Sequence, residues 1–263
     1  MKVALVRPNY QTHLITPSLG LGYLSSFLKS KQIETKIIDG LNLSLSNEEI
    51  VARVGEAEVV GISVLTAYYL IAKDLTEKLK ATGKIVVWGG VHASILPQEV
   101  LAETRADFAV VGEGEISLYE LVAALRDGLD TSAIPGVSSR ATSNFIKRPL
   151  IQNLDELPFP DWTELDPRTY QKAPHGALIK NFPVAPITST RGCPYECVFC
   201  ASPKVWQRTF RLRSPKNVLD EIEYLVKNFG VKEIHFEDDN LTLKREHVEA
   251  ICQGILERGI KIS

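Results

Sequence analysis

The run Arg191-Gly-Cys-Pro-Tyr-Glu-Cys-Val-Phe-Cys200 follows directly on the apolar stretch Val184 to Thr190. Read together, they put Cys193, Cys197 and Cys200 on one short loop at the end of a strand. Three soft thiolates in so tight a space suit an iron-sulfur cluster better than a disulfide. The number matters: a four-iron cube held by three thiolates keeps one iron for a small molecule. Structural zinc, with His235 or Cys252 as a fourth ligand, is the competing reading, but the paired C-x2-C knuckles of such sites are absent. Cys252 falls in the pattern Val248, Ile251, Cys252, Ile255, Leu256 and reads as a buried small hydrophobe.

Outward from this loop the chain has 263 residues, 44% of them hydrophobic, and a net charge of −2. That is enough for one large core or two modest ones. Met1-Lys-Val-Ala-Leu begins a strand and not a signal peptide, and no apolar run approaches ~18 residues. Composition therefore fits a cytoplasmic enzyme with no membrane partner. Lys and Arg are scattered apart from Arg208, Arg211 and Arg213, which suit an anionic cluster or a carboxylate ligand; nucleic acid is not expected.

Residues 1–128 alternate apolar strands with amphipathic helices. Strands are expected at Lys2–Val6, Glu34–Ile38, Val59–Leu65, Lys84–Trp88 and Phe108–Val111, and helices at Leu19–Lys29, Tyr68–Lys80 and Ile116–Arg126. This rhythm predicts an α/β domain with a doubly wound, five-stranded parallel sheet and a ligand site beyond the carboxyl ends of its strands. Ser63-Val-Leu65, Gly89-Gly90 and Gly112-Glu-Gly-Glu115 stand at three of those ends, where small residues let a bulky ligand approach the backbone. Arg7-Pro8-Asn9-Tyr10 follows the first strand in place of a G-x-G-x-x-G loop, so a dinucleotide fingerprint is missing.

Residues 129–183 form a proline-containing connector in which Leu154 to Trp162 is extended. Phe159, Trp162 and Tyr170 are expected to pack the domains together, the alternative being that they wall the active site. From residue 184 the pattern restarts: a strand at Val184–Thr190, a helix at Pro215–Phe229 between Ser214 and Gly230, and a strand at Val231–Phe236. A helix capped by Thr242 follows, and Ile260–Ser263 opens a third strand.

Ser63-Val-Leu65 and Gly89-Gly90 resemble the nucleotide-tail signatures of a cobalamin-binding Rossmann-like domain. With Cys193-x3-Cys197-x2-Cys200 in the position of the radical SAM cluster motif, the chain resembles the cobalamin-dependent radical SAM enzymes over nearly its whole length. The resemblance implies a cobalamin-binding domain (1–128), the connector, and the first part of a radical SAM β/α partial barrel (184–263), so the chain reads as the N-terminal portion of such an enzyme. It implies three cofactors: a [4Fe-4S] cluster on the three cysteines, S-adenosyl-L-methionine, and cobalamin. Ser63, Leu65, Gly89, Gly90, His92, Gly112, Glu113 and Gly114 would face cobalamin. Phe199 would pack on adenine, and Glu237 or Asp238 would meet the methionine amine, leaving Asp239 and Asn240 as turn residues.

One departure stands out. The Asp-x-His-x-x-Gly loop that ligates cobalt does not fit Asn9 to Ile15, so a base-off cobalamin without a histidine ligand is implied, and His13 is a poor substitute. The implied activity is methyl transfer to an unactivated carbon of a small molecule or peptide, with an electron donor such as flavodoxin or ferredoxin. Oxidative cyclisation, another non-methylating radical reaction, or a mere cobalamin-binding module are the alternatives.

Overall fold

The computed structural model describes residues 1–141, 145–172 and 178–263; the connector positions 142–144 and 173–177 lie outside the described residues. Two compact units result, one of residues 1–11 and 20–151, the other of 12–19 and 152–263.

In the first unit, β1 (Val3–Arg7), β2 (Thr35–Asp39), β3 (Val59–Ser63), β4 (Ile85–Gly89) and β5 (Phe108–Val110) form the parallel sheet in the order β2-β1-β3-β4-β5. Strand alternation explains why both faces are covered. Ala4, Val6, Val60, Ile62, Val86 and Trp88 join one buried cluster, while Val3, Leu5, Val59, Val87 and Val110 join another on the opposite face. Helices α1 (Leu19–Ser30), α2 (Asn47–Val54), α3 (Tyr69–Ala81), α4 (Gly90–Ile95), α5 (Pro97–Glu103) and α6 (Gly114–Asp127) supply the layers. The first cluster takes Ile50 from α2, Leu75 from α3 and Val100 from α5. The second takes Leu28 from α1 and Leu121 from α6.

Two features go beyond the sequence reading. β6 (Val137–Ser139) adds an antiparallel edge strand, with Val110 opposite Val137, so the sheet has six strands and the unit runs to Ile151 and not to residue 128. A three-residue strand carries too little periodicity to announce itself. Helix α2 is the second addition; Ser46 and Glu49 close a reciprocal capping box at its start.

In the second unit, β7 (Val184–Ile187) pairs in parallel with β10 (Glu233–Phe236), and β8 (Thr190–Arg191) pairs antiparallel with β9 (Arg211–Leu212). Helix α7 spans Ser202–Trp206, α8 Pro215–Phe229 and α9 Arg245–Glu257. Ser214 caps α8 by accepting from Asn217 N, and Gly230 closes it in the left-handed conformation. Lys244, not Thr242, precedes α9, because Leu241–Leu243 forms a 3-10 turn first. Ser263 N donates to Lys232 O and Ser263 O accepts from Ile234 N, so the last described residue lies along β10 as a third strand would.

Two of the aromatic connector residues, Phe159 and Trp162, pack on this unit's own helix α8. Trp162 and Tyr170 are buried, the Trp162 indole N–H donates to Glu221 at 2.9 Å, and Phe159 lies 6.4 Å from Tyr224. Glu221 is fully buried and ion-paired with Arg213 at 2.6 Å. Arg213 is thereby committed to the fold, and Arg211 is buried as well, which leaves Arg208 as the exposed member of the arginine trio, paired with Glu196. The expectation for Cys252 fails: it is exposed on α9, because Ile251 and Gly254 turn toward α8 and rotate position 252 outward.

Candidate functional site

The carboxyl edge of the first sheet is assembled around β3 and β4. Val64 N donates to Gly89 O at 2.9 Å and His92 N donates to Val64 O at 3.1 Å, so the Ser63-Val-Leu65 and Gly89-Gly90 segments are one bonded assembly. Gly90 has φ +87°, and a Cβ there would lie 3.0 Å from both Val64 N and Val64 O. Only glycine is accommodated at that spot. Gly89 and Gly112 are the opposite case, since a Cβ on either meets nothing within 4 Å. Leu65 is half-exposed at the same edge. Open glycine surface beside exposed apolar side chains is what a large, flat ligand requires.

Around this edge the neighbouring side chains are held in place. His92 is buried, its Nδ1 lies 3.0 Å from Thr66 Oγ1, and its ring packs 4.9 Å from Tyr69. Burial holds its pKa below the ordinary histidine value. Thr66, Tyr69, His92, Leu96, Glu99 and Glu103 line a cleft of about 610 Å³. Tyr69 donates to Glu103 at 2.9 Å, and burial followed by that bond pushes its phenol up to about 12. Tyr10 stacks on Tyr68 at 4.3 Å in the place where a cobalt-ligating loop would begin. His13 is exposed. Glu113 is buried and accepts from Ile151 N at 2.7 Å, so it ties down the segment after β6. Gly114 opens α6, and a Cβ there would lie 3.0 Å from Leu24 Cδ2.

In the second unit, the cysteine loop leaves β8 through Gly192. Its φ is +90°, and a Cβ would stand 2.3 Å from Thr209 O, so no other residue fits without moving the backbone. Cys193 is half-buried, while Cys197 and Cys200 are exposed. Cys200 N donates to Cys197 O at 3.0 Å and Ser202 N reaches Cys200 Sγ at 3.4 Å. Val198 and Phe199 are exposed at 101% and 90%, which presents their apolar surface outward from the loop.

These residues fit a cluster better than a single ion. Among the described residues, no three His, Cys, Asp or Glu side chains gather as ligands of one ion. A cube spreads its thiolates over separate irons and needs no such convergence, whereas zinc draws four ligands to one point. His235 is occupied by Glu233, its Nε2 2.8 Å from Oε1.

The carboxylates after β10 hold the structure in a way the sequence did not reveal. Asp238 Oδ1 accepts from Ser189 N at 3.0 Å, Ser189 Oγ at 3.0 Å and Thr190 Oγ1 at 2.6 Å. Asp239 accepts from Gly192 N at 3.2 Å, and Asn240 Nδ2 lies 3.9 Å from Cys193 Sγ. Burial raises the Asp239 pKa, with the Gly192 N–H opposing it. Asp239 and Asn240 are therefore more than turn residues, and Asp238 is engaged inside the protein. Glu237 and Asp239 are the exposed carboxylates of the run.

The B12 binding domain family matches residues 11–122, and the Radical SAM superfamily matches residues 187–263. A protein of Pyrococcus horikoshii named as an uncharacterized methyltransferase is 34% identical over all of this chain and 59% of its own length. The anaerobic magnesium-protoporphyrin IX monomethyl ester cyclase of Rubrivivax gelatinosus is 30% identical over all of this chain and 49% of its own. The chain thus spans about half the length of these relatives. The solved structure of the cobalamin-dependent S-adenosylmethionine radical enzyme OxsB superimposes with a TM-score of 0.80 over all of this chain and 38% of that one, at 22% identity, which is a likeness of fold.

Proposed function

We propose a function that starts from the chain's family: with a B12-binding domain ahead of a radical SAM domain, it belongs with the cobalamin-dependent radical SAM enzymes. Cobalamin, a [4Fe-4S] cluster and S-adenosylmethionine are the cofactors of that architecture. In our reading the protein uses them for a radical reaction at an unactivated carbon of a small molecule or peptide. The observation that carries this is the loop of three thiols, two of them exposed, fixed at a strand end by a glycine that no other residue can replace.

Cys193, Cys197 and Cys200 would each hold an iron, leaving the fourth for S-adenosylmethionine. Exposed Phe199 supplies an apolar face for an adenine, and Glu237 a carboxylate able to accept from an ammonium group. Asp238 acts one layer beneath, orienting the Ser189–Thr190 turn from which the loop departs. In the first unit Ser63, Leu65, Gly89, Gly90 and Gly112 form the cobalamin cradle, with His92 and Gly114 supporting it. When bound, these cofactors supply radical generation and a transferable methyl group or a redox partner; the chain's part is to position them and exclude water. An external reductant, such as flavodoxin or ferredoxin, would feed the cluster.

Two finer readings share this site. Methyl transfer agrees with the name of the Pyrococcus relative, and oxidative cyclisation with that of the Rubrivivax relative. Anaerobic reconstitution followed by product analysis separates them. Both predict 5′-deoxyadenosine from S-adenosylmethionine, and methyl transfer predicts S-adenosylhomocysteine in addition. A reconstituted chain that takes up zinc without labile sulfide would refute the whole reading.

A further inference from the structure

The three residues Asp238, Asp239 and Asn240 meet the opposite segment in register. Asp238 bonds Ser189 and Thr190, Asp239 bonds Gly192, and Asn240 approaches Cys193. Each step along one segment advances along the other, so the run after β10 clasps the strand end from which the cysteine loop leaves. The first two contacts are to oxygen acceptors and fix backbone. The third differs in kind: a side-chain amide, which has N–H groups to give, faces a cysteine sulfur at 3.9 Å.

We infer that Asn240 is a tuning residue for the cluster, donating a hydrogen bond to the Cys193 sulfur and raising the cluster's reduction potential. The inference rests on the reading that the three cysteines hold a [4Fe-4S] cluster. Its physical basis is electrostatic. Reduction adds negative charge to the cluster and its thiolates, and an N–H directed at a ligand sulfur stabilises the more negative state, making reduction easier. Cys200 receives a comparable contact from a backbone donor, Ser202 N at 3.4 Å, which no side-chain substitution removes directly. At Cys193 the donor is a side chain, so sequence can adjust it. The clasp makes the contact dependable: Asn240 is half-buried, and its neighbours are anchored by the carboxylate bonds of Asp238 and Asp239. Asparagine is thereby given a role that an acceptor-only aspartate at the same place could not fill.

The test is potentiometry of the anaerobically reconstituted chain, followed by electron paramagnetic resonance, on wild type, Asn240→Leu and Asn240→Asp. Both variants should carry wild-type iron and sulfide with a midpoint shifted to more negative potential, the aspartate further because it also brings charge. In wild type alone, pulsed resonance of the reduced cluster in protein labelled with 15N-asparagine should show a coupled side-chain nitrogen, a readout needing no variant to assemble. Full clusters with unchanged potential in both variants, or no such coupling in wild type, would overturn the role of Asn240 and leave the cluster assignment standing. A wild-type chain without iron and sulfide would overturn both.

Discussion

The two strand edges that would hold the cofactors are built in opposite ways. At β3 and β4 of the first unit, the notable feature is what is missing: Gly89 and Gly112 leave open space, and the backbone itself forms the surface. At β7, β8 and β10 of the second unit it is what is crowded, with Asp238, Asp239 and Asn240 spending their polar atoms on residues 189–193. A large preformed ligand needs room and a rigid floor, whereas a loop that must present three thiols needs to be held. The contrast teaches that openness is what the first edge would offer a ligand, while the acidic residues of the second hold structure.

The sharpest break is at the thiols. Serine at Cys193, Cys197 or Cys200 should abolish iron and sulfide uptake while leaving cobalamin binding intact, as read by metal analysis and by cobalamin absorbance after gel filtration. Loss of both together would mean that the two edges are not independent.

Next in size is the buried pair beneath the crowded edge. Glu221→Ala removes the carboxylate that neutralises buried Arg213, which keeps neutral acceptors such as Thr188 O and Asn217 Oδ1, and removes the acceptor of Trp162, so the second unit should lose about 3–5 kcal/mol. Hydrogen exchange should report faster opening in α8 and unchanged protection in β1 and β3; uniform loosening of both units would contradict the separation.

Adjacent glycines test the open edge against itself. Gly90→Ala meets both Val64 backbone atoms at positive φ and should cost about 1–3 kcal/mol. Gly89→Val has extended backbone and empty space, so the thermal midpoint should barely move while cobalamin affinity falls at least about tenfold, roughly 1.4 kcal/mol. Wild-type cobalamin affinity in Gly89→Val would remove this residue from the cradle.

The smallest effect is in pH. His92 in the first unit and His247 in the second are buried, and burial lowers both pKa values below 6.5. The unfolded chain then binds the proton more readily, so stability is fullest above pH 6.5 and declines as pH falls below it. Each histidine contributes a slope of at most about 1.4 kcal/mol per pH unit. Denaturant melts of His92→Gln and His247→Gln between pH 7 and 5 should flatten the response of their own units only.

Much of this was legible in the residues. Apolar runs such as Val59–Ile62 and helix signals such as Ser214 and Gly230 act locally, and the structure forms strands and a helix where they indicate. The cysteine spacing survives any fold because it lies within one loop. Glu221 was legible in part: a carboxylate amid Leu219, Ile222 and Leu225 on the buried face of α8 signals a buried partner without naming it.

The sequence by itself determined the alternation of strands and helices, the two-domain architecture and the three-thiol loop, because each is set by local periodicity or by neighbours in the chain. Only the tertiary structure decided the edge strand β6, the outward turn of Cys252 and the engagement of Glu113 by Ile151. It alone also joined Asp238, Asp239 and Asn240 to residues 47 to 49 positions away. Those pairings depend on two parallel strands coming into register, and a hydrogen bond across such a distance leaves no periodic trace in the sequence.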